Sequence, residues 1–452
     1  MDPNAPVRIR FGTGSLPLSR PDHAATFDLL SGPEIPPLDR PEPAVRAALR
    51  EPIGCAPLAD LLRSKQQQLG RPLERVVITL SDITRPVPNT LLITALLEVL
   101  AAQGVRDDQV TLVIATGMHR ESTPQEIRVM LGDDLPRRCR VVDHTAHRPE
   151  TVQRVTDDPP VSVNRLYLEA DFRIVTGLIE PHFMAGFSGG RKGVCPGLVD
   201  LETVQRFHGY ATMADPNSVE GRLEGNPCHE ISHQVAHAVG VDFLLNVAIT
   251  HDRRPAGIYA GDLDAAFMAG CQDVARWTSA DVQAPYDLVV TSAGGRPLDK
   301  NFYQTVKGMC TAMPALHDRS TLVICSDCDV VGEPAFEALY AQFGSDWRAF
   351  RDHIQATDGH TAKDQWQYQL QTRVLERVGL ERLILCNDGL DTQTQRDVAV
   401  TPLPGDRSEK LADRLQAFVE DYAAEHPGCR IAVIPEGPYT MLNASRPAAV
   451  PA

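Results

Sequence analysis

Apolar and polar residues alternate from Val7 to Leu18 around a Gly-Thr-Gly turn, the period-two pattern of a hairpin. Residues 20–58 are rich in proline and read as a segment that wraps the surface. The pattern then becomes regular. Arg75–Leu80 (RVVITL) is a short β-branched run. After SDITRPVPN an apolar helix is predicted from Thr90 to Gln103, capped by Asn89 and stopped by Gly104. The unit repeats, with a strand at Gln109–Thr116, a GMHR loop and a helix at Thr123–Leu131. Arg140–Asp143 and Phe172–Leu178 are further apolar runs.

A second set of strands is predicted at Asp287–Thr291, Thr321–Cys325, Arg382–Cys386 and Arg430–Ile434, with helical segments between them that include Glu409–Glu425. The stretch around Ala280–Pro285 reads as the connection between the sets. Strands alternating with helices imply parallel sheets covered on both faces. The fold expected is therefore α/β: two α/β domains with mainly parallel sheets and an active-site cleft between them. The first domain spans residues 1–280 and is rejoined by about 436–452; the second spans 286–435. No internal repeat stands out.

Composition narrows the function. A length of 452 residues is too great for one small core, and 43% apolar with 23% charged residues is ordinary for a soluble globular protein. A formal charge of −15 argues against a nucleic-acid surface. It leaves room for a small anionic substrate in a local basic pocket. No leader and no run of about 20 apolar residues is visible, so a cytoplasmic protein without a membrane partner is expected. The ten cysteines are scattered, unlike a disulfide framework.

The stretch Gly177–Leu198 (GLIEPHFMAGFSGGRKGVCPGL) concentrates small residues around one lysine. Glycines let a backbone approach a ligand closely, and successive N–H groups can form an anion nest. Ser188, Gly189, Gly190 and Lys192 are its candidate cofactor-binding residues. The Walker pattern fails here, because Arg191 precedes the lysine and Gly193 stands where serine or threonine would bind magnesium. Asp82, Arg85, His119 and His182 fall at the carboxyl ends of predicted strands, where open α/β sheets bind ligands. Arginine clamps carboxylates and imidazole exchanges protons near neutral pH. Gln304 and Lys307 share one helical face, three residues apart.

Two other motifs compete. His229-Glu230-Ile-Ser-His233 matches the zinc hydrolase signature H-E-x-x-H, although Val239 stands at the third metzincin position. Cys325-Ser-Asp-Cys328 has no second pair at zinc-ribbon spacing and reads as structural thiols.

Taken together, Asp82-Ile-Thr-Arg85-Pro, Thr116-Gly-Met-His119-Arg, Glu180-Pro-His182, Gly189-Gly190-Arg191-Lys192, His208, Tyr303-Gln304-Thr-Val-Lys307, Gln365-Trp366 and Ile434-Pro-Glu-Gly-Pro-Tyr439 resemble the nickel-pincer-nucleotide-dependent lactate racemase family over nearly the whole chain. The resemblance implies a nickel pincer nucleotide, a pyridinium-3,5-bisthiocarboxylic acid mononucleotide nickel complex. It would be attached at Lys192 through a thioamide, with His208 as the protein's nickel ligand. It implies His119 and His182 as paired acid/bases and Asp82 as an orienting residue. Arg85, Gln304 and Lys307, with Tyr303 and Trp366, would bind substrate. The implied reaction inverts C2 of a 2-hydroxy acid such as lactate or malate, by hydride removal to the cofactor and return through a 2-keto acid. Cofactor-synthesis enzymes would be maturation partners. Arg191 and Met118 adjoin these motifs as candidates to read the substrate's far end. A zinc hydrolase on His229, Glu230 and His233, and a non-catalytic nucleotide-binding protein, are the alternatives; oligomeric state is not readable.

Overall fold

The computed structural model describes residues 5–444. The chain forms two compact units. The terminal unit combines the chain up to Pro33, Gly209–Ala214 and the chain from Thr278 onward; the central unit is Glu34–His208 with Asp215–Trp277. The architecture is α/β with predominantly parallel sheets.

In the central unit a six-stranded sheet runs in the order Pro255–Gly261, Phe243–Ile249, Phe172–Leu178, Val76–Ser81, Val110–Ala115, Arg140–Asp143. All pairings are parallel except that of the Pro255–Gly261 edge strand. Val76 through Leu80 are buried on both faces, as a strand covered on two sides requires. Ile78, Leu80, Leu96, Leu100, Leu112, Ile114, Ile174 and Leu245 belong to one core cluster. Burying each such side chain stabilises the unit by about 1.5–3 kcal/mol before entropy is counted. The Asn89–Ala102 helix starts one residue before the expected span. Pro88 occupies the cap and makes no side-chain bond, and Asn89 lies buried inside the first turn, its Oδ1 without a hydrogen-bond partner among the described residues.

The terminal unit has its own six-stranded parallel sheet, in the order Thr401–Pro402, Leu383–Cys386, Leu316–Cys325, Tyr286–Ser292, Arg430–Ile434, Thr26–Leu29. The Val7–Leu18 hairpin forms with Val7 opposite Leu18, and its Ile9 and Leu18 join this unit's core.

Three boundaries differ from the sequence reading. Residues 20–58 contain the Thr26–Leu29 strand and the Pro41–Arg50 helix, whose Val45 and Leu49 are buried. Thr26–Leu29 pairs with Arg430–Val433, so the start of the chain completes the terminal sheet. The expected connection at Ala280–Pro285 begins as the strand Ser279–Val282, whose partner Met441–Ala444 lies in the same unit. Residues 445–452, part of the expected return to the first domain, lie outside the described residues. Among the described residues no helix is long and apolar enough to cross a membrane.

Candidate active site

The first strand of the central sheet, Val76–Ser81, has Val110–Ala115 on one side and Phe172–Leu178 on the other, so the strand order reverses there. Open α/β sheets bind ligands beyond the carboxyl ends of strands at such a switch point. The loops that leave these three strands carry Asp82 and Arg85, His119, and His182 with Lys192.

The first two loops are joined by one short contact. Nδ1 of His119 lies 2.6 Å from Oδ2 of Asp82. The carboxylate also accepts the Thr84 N–H at 3.2 Å and the Thr84 hydroxyl at 2.5 Å. Burial pushes the Asp82 carboxyl up, but the hydrogen bond and charge of His119, with Thr84 and Arg85, outweigh it and hold the group below the usual carboxylate range. An ionised Asp82 accepts the Nδ1–H of His119, which leaves Nε2 as the basic nitrogen of a ring whose side chain is 51% exposed. Arg85 is anchored beside it, with Nε 3.2 Å from Oε1 of Glu180.

His182 is held differently. It is buried, stacks on Phe183 at 5.0 Å, and its Nδ1 accepts the backbone N–H groups of Ala185 at 3.3 Å and Met184 at 3.5 Å. An Nδ1 that accepts must be unprotonated, so in the neutral ring the proton sits on Nε2.

The glycine-rich loop is folded by its own residues. Gly189 and Gly190 have φ of 77° and 54°. A Cβ on Gly190 would run into the Phe267 ring, and one on Gly189 would meet Asn246 and the Leu178 carbonyl. The N–H of Ser188 donates to Glu180, that of Gly190 to Asn246 Oδ1 at 2.7 Å, and those of Lys192 and Val194 to Gly189 and Arg191. These four groups have protein acceptors and are not available to an anion nest. Ser188 Oγ donates to the Leu178 carbonyl at 2.7 Å. Arg191 points inward: its guanidinium donates to the carbonyls of Ala185 and Phe187 at 2.7 and 2.9 Å and lies 4.5 Å from the Phe267 ring centroid. It orders the loop and, fully buried, is not placed to read the far end of a substrate as expected.

Lys192 is turned the other way. Its ammonium lies 4.8 Å from the Phe207 ring centroid, and Phe207 meets His208 edge-on at 4.7 Å. Burial, then the charge of Arg191, lower the amine to about 7, although the residue keeps some solvent contact. His208 is buried, and its Nδ1 lies 2.9 Å from the Val204 carbonyl. A carbonyl only accepts, so Nδ1 carries the proton and Nε2 is the basic nitrogen. Burial brings the ring down to about 3, keeping it neutral, and the charges of Lys192 and His119 act in the same direction.

The remaining candidates belong to the terminal unit. Tyr303, Gln304 and Lys307 lie on the Phe302–Thr311 helix, capped by Asn301, whose Oδ1 accepts the Gln304 N–H at 3.0 Å. Trp366 Nε1 donates to the Tyr303 hydroxyl at 3.0 Å, and Oε1 of Gln304 is buried with no hydrogen-bond partner among the described residues. Asp82, Arg85, His119, His182, Ser188, Gly189, Gly190, Lys192 and His208 lie in the central unit. Asn246, Glu180 and Phe207 support this set but have no role in the sequence reading. Asn246 was detectable as the one polar residue in the run FLLNVAI.

The competing motifs resolve otherwise. His229 is half-buried, brought down to about 4 by burial and Arg191, and the imidazoles that converge are those of His233 and His237, on Asp264. All ten cysteines are free thiols, and burial raises Cys328 to about 11.

The central unit thus defines an α/β ligand-binding protein with a carboxylate–histidine dyad, a second buried histidine and a lysine of lowered basicity at its switch point. The model of the lactate racemase N-terminal domain matches residues 11–221, and that of the lactate racemase C-terminal domain matches 282–441. The chain is 32% identical over 365 residues to a lactate racemase of Thermoanaerobacterium thermosaccharolyticum, covering 80% of this chain and 83% of that one. It is 31% identical over 399 residues to a lactate racemase of Lactiplantibacillus plantarum, covering 87% and 89%. The solved structure of the T. thermosaccharolyticum lactate racemase apoprotein superposes with a TM-score of 0.85 at 29% identity, over 97% of this chain and 100% of that one. A Thermotoga maritima protein at 18% identity and TM-score 0.61, covering 85% and 97%, shares the fold. The chain belongs to the lactate racemase family.

Proposed function

We propose that the protein is a racemase that inverts C2 of a small 2-hydroxy acid, with lactate the first substrate to test, and that it uses a nickel pincer nucleotide. The observation that carries the acid/base part is the Asp82–His119 contact of 2.6 Å, which orients a basic Nε2 outward from the end of a strand. His119 takes the proton of the C2 hydroxyl, and ionised Asp82 stabilises the imidazolium that results. His182, protonated at Nε2, donates a hydrogen bond to the same oxygen. Arg85 binds the substrate carboxylate through its outer nitrogens while Nε stays on Glu180. Lys307, Gln304, Tyr303 and Trp366 are proposed as further substrate contacts.

What supports the cofactor reading is the chemistry of two side chains. A neutral imidazole with its proton fixed on Nδ1 is a suitable Nε2 ligand for nickel, which makes His208 the protein's ligand. A lysine brought to about 7 supplies the unprotonated amine a thioamide link requires, which makes Lys192 the anchor. Ser188, Gly189 and Gly190 shape the loop around it. When bound, the group supplies the hydride acceptor that a weakly acidic C2–H demands.

The test is a set of single-enantiomer 2-hydroxy acids, lactate and malate included, followed by polarimetry with protein matured by the cofactor-synthesis enzymes. Loss of optical rotation that Lys192→Ala abolishes, together with loss of a mass adduct, is expected. Retained rotation across the set despite a full adduct would leave a non-catalytic binding protein.

A further inference from the structure

Away from this site, the Pro227–Val239 and Leu263–Thr278 helices of the central unit bring three ligating groups together. His233 and His237 sit one turn apart on the first helix. Nε2 of His233 is 3.1 Å from Oδ1 of Asp264, and Nε2 of His237 is 2.8 Å from Oδ2. One ligand atom from each of the three residues lies within 4.8 Å of the others, and the ring centroids of the histidines are 4.2 Å apart. Asp264 is not needed for helix capping, because Asp262 Oδ1 accepts the N–H groups of Asp264 and Ala265 at 3.0 Å.

We infer that His233, His237 and Asp264 form a surface site for a borderline divalent ion, of the zinc or nickel class, that clamps the two helices. Bonds of about 2.1 Å from imidazole nitrogen and carboxylate oxygen place neighbouring ligands about 3 Å apart. The two histidine–aspartate spacings, 3.1 and 2.8 Å, have that value. Two imidazoles with one carboxylate select a first-row ion over magnesium or calcium. Remaining positions are open to water, since the histidines and the aspartate are at least partly exposed. This site uses the i, i+4 pair one turn later than the H-E-x-x-H motif indicates. The clamp has a structural consequence. Phe267 of the second helix backs Gly190 and the Arg191 guanidinium, so joining the helices stiffens the loop that carries Lys192.

The experiment titrates zinc into tag-free, cofactor-free protein by calorimetry and counts retained zinc after gel filtration, for wild type, His237→Ala, Asp264→Ala and the milder His233→Gln/His237→Gln pair. Each variant is expected to bind one zinc fewer per chain than wild type. Each should also lose a zinc-dependent rise in Tm of roughly 5 °C. His208→Ala should keep both, which separates this site from the proposed nickel ligand. A wild type that retains no zinc, or variants that retain as much as wild type with unchanged circular dichroism, would overturn the inference.

Discussion

His119 and His182 leave the two strands that flank Val76–Ser81 in one sheet, yet they are held by partners of opposite kind. A carboxylate accepts a hydrogen bond from the Nδ1–H of His119, while two backbone N–H groups donate to Nδ1 of His182. The first arrangement favours a base that can become imidazolium; the second favours a neutral donor. For His182 to accept a proton at Nε2, its Nδ1 would have to carry the ring proton and face two N–H donors with it, which that pocket resists. The wider contrast is between Asp82, whose ionised form is favoured by its partners, and groups tuned by burial, among them His208 and Lys192. Charged partners favour the ionised form and burial the neutral one.

Removing the charged side of the comparison gives the largest effect. His119→Ala in the matured protein is expected to lower turnover about 10²–10⁴-fold by polarimetry. His182→Ala, which removes a donor, should lower it about 10²–10³-fold. If His182→Ala is the more damaging of the two, the roles assigned here are reversed. Next comes Asp82→Asn, which should reduce turnover on the order of 10²-fold by permitting the wrong tautomer of His119. Two enantiomers have equal free energy, so kcat/KM must fall equally in both directions in every variant. The asymmetry between the histidines can therefore show only in kcat and KM taken separately for each enantiomer.

The burial side is tested by stability. Lys192 is held at about 7 in the folded protein against an ordinary 10.5, so the unfolded chain binds more protons between these values and stability rises with pH across that window. Lys192→Met should stabilise cofactor-free protein at pH 7 by on the order of 1–3 kcal/mol in denaturant titration, with the gain shrinking toward pH 10. A gain independent of pH would assign it to packing alone. The smallest effect concerns Asp82, whose lowered folded value contributes stability above about pH 4 that is lost as pH falls further. Wild type and Asp82→Asn should therefore converge in thermal stability below about pH 4 and separate above it, by about 1 kcal/mol or less.

The strands that carry the site were legible because Val76–Ser81, Val110–Ala115 and Phe172–Leu178 are short apolar runs ending at polar loops. Their local pattern needs no distant information. Ser279–Val282 was read as a connection because its ladder among the described residues is with Met441–Ala444, far along the chain. Thr26–Leu29 has no buried residue in its pattern, and only the edge of Arg430–Ile434 makes it a strand. In the site, the positions of Asp82, His119 and His182 were readable from strand ends. The tautomers were not, since they depend on which atom faces each ring. Arg191 misled because charge on a glycine-rich loop looks like a ligand group, whereas here three carbonyls and the Phe267 ring surround it.

The internal bonding of the Ser188–Val194 turn bears on how a ligand would be taken up. Its inward arginine and its donated N–H groups tie the turn together through protein acceptors. Uptake at Lys192 is then docking onto a finished surface rather than folding around a guest. The heat-capacity change of loading should reflect only the apolar area covered, without the large negative contribution of coupled ordering.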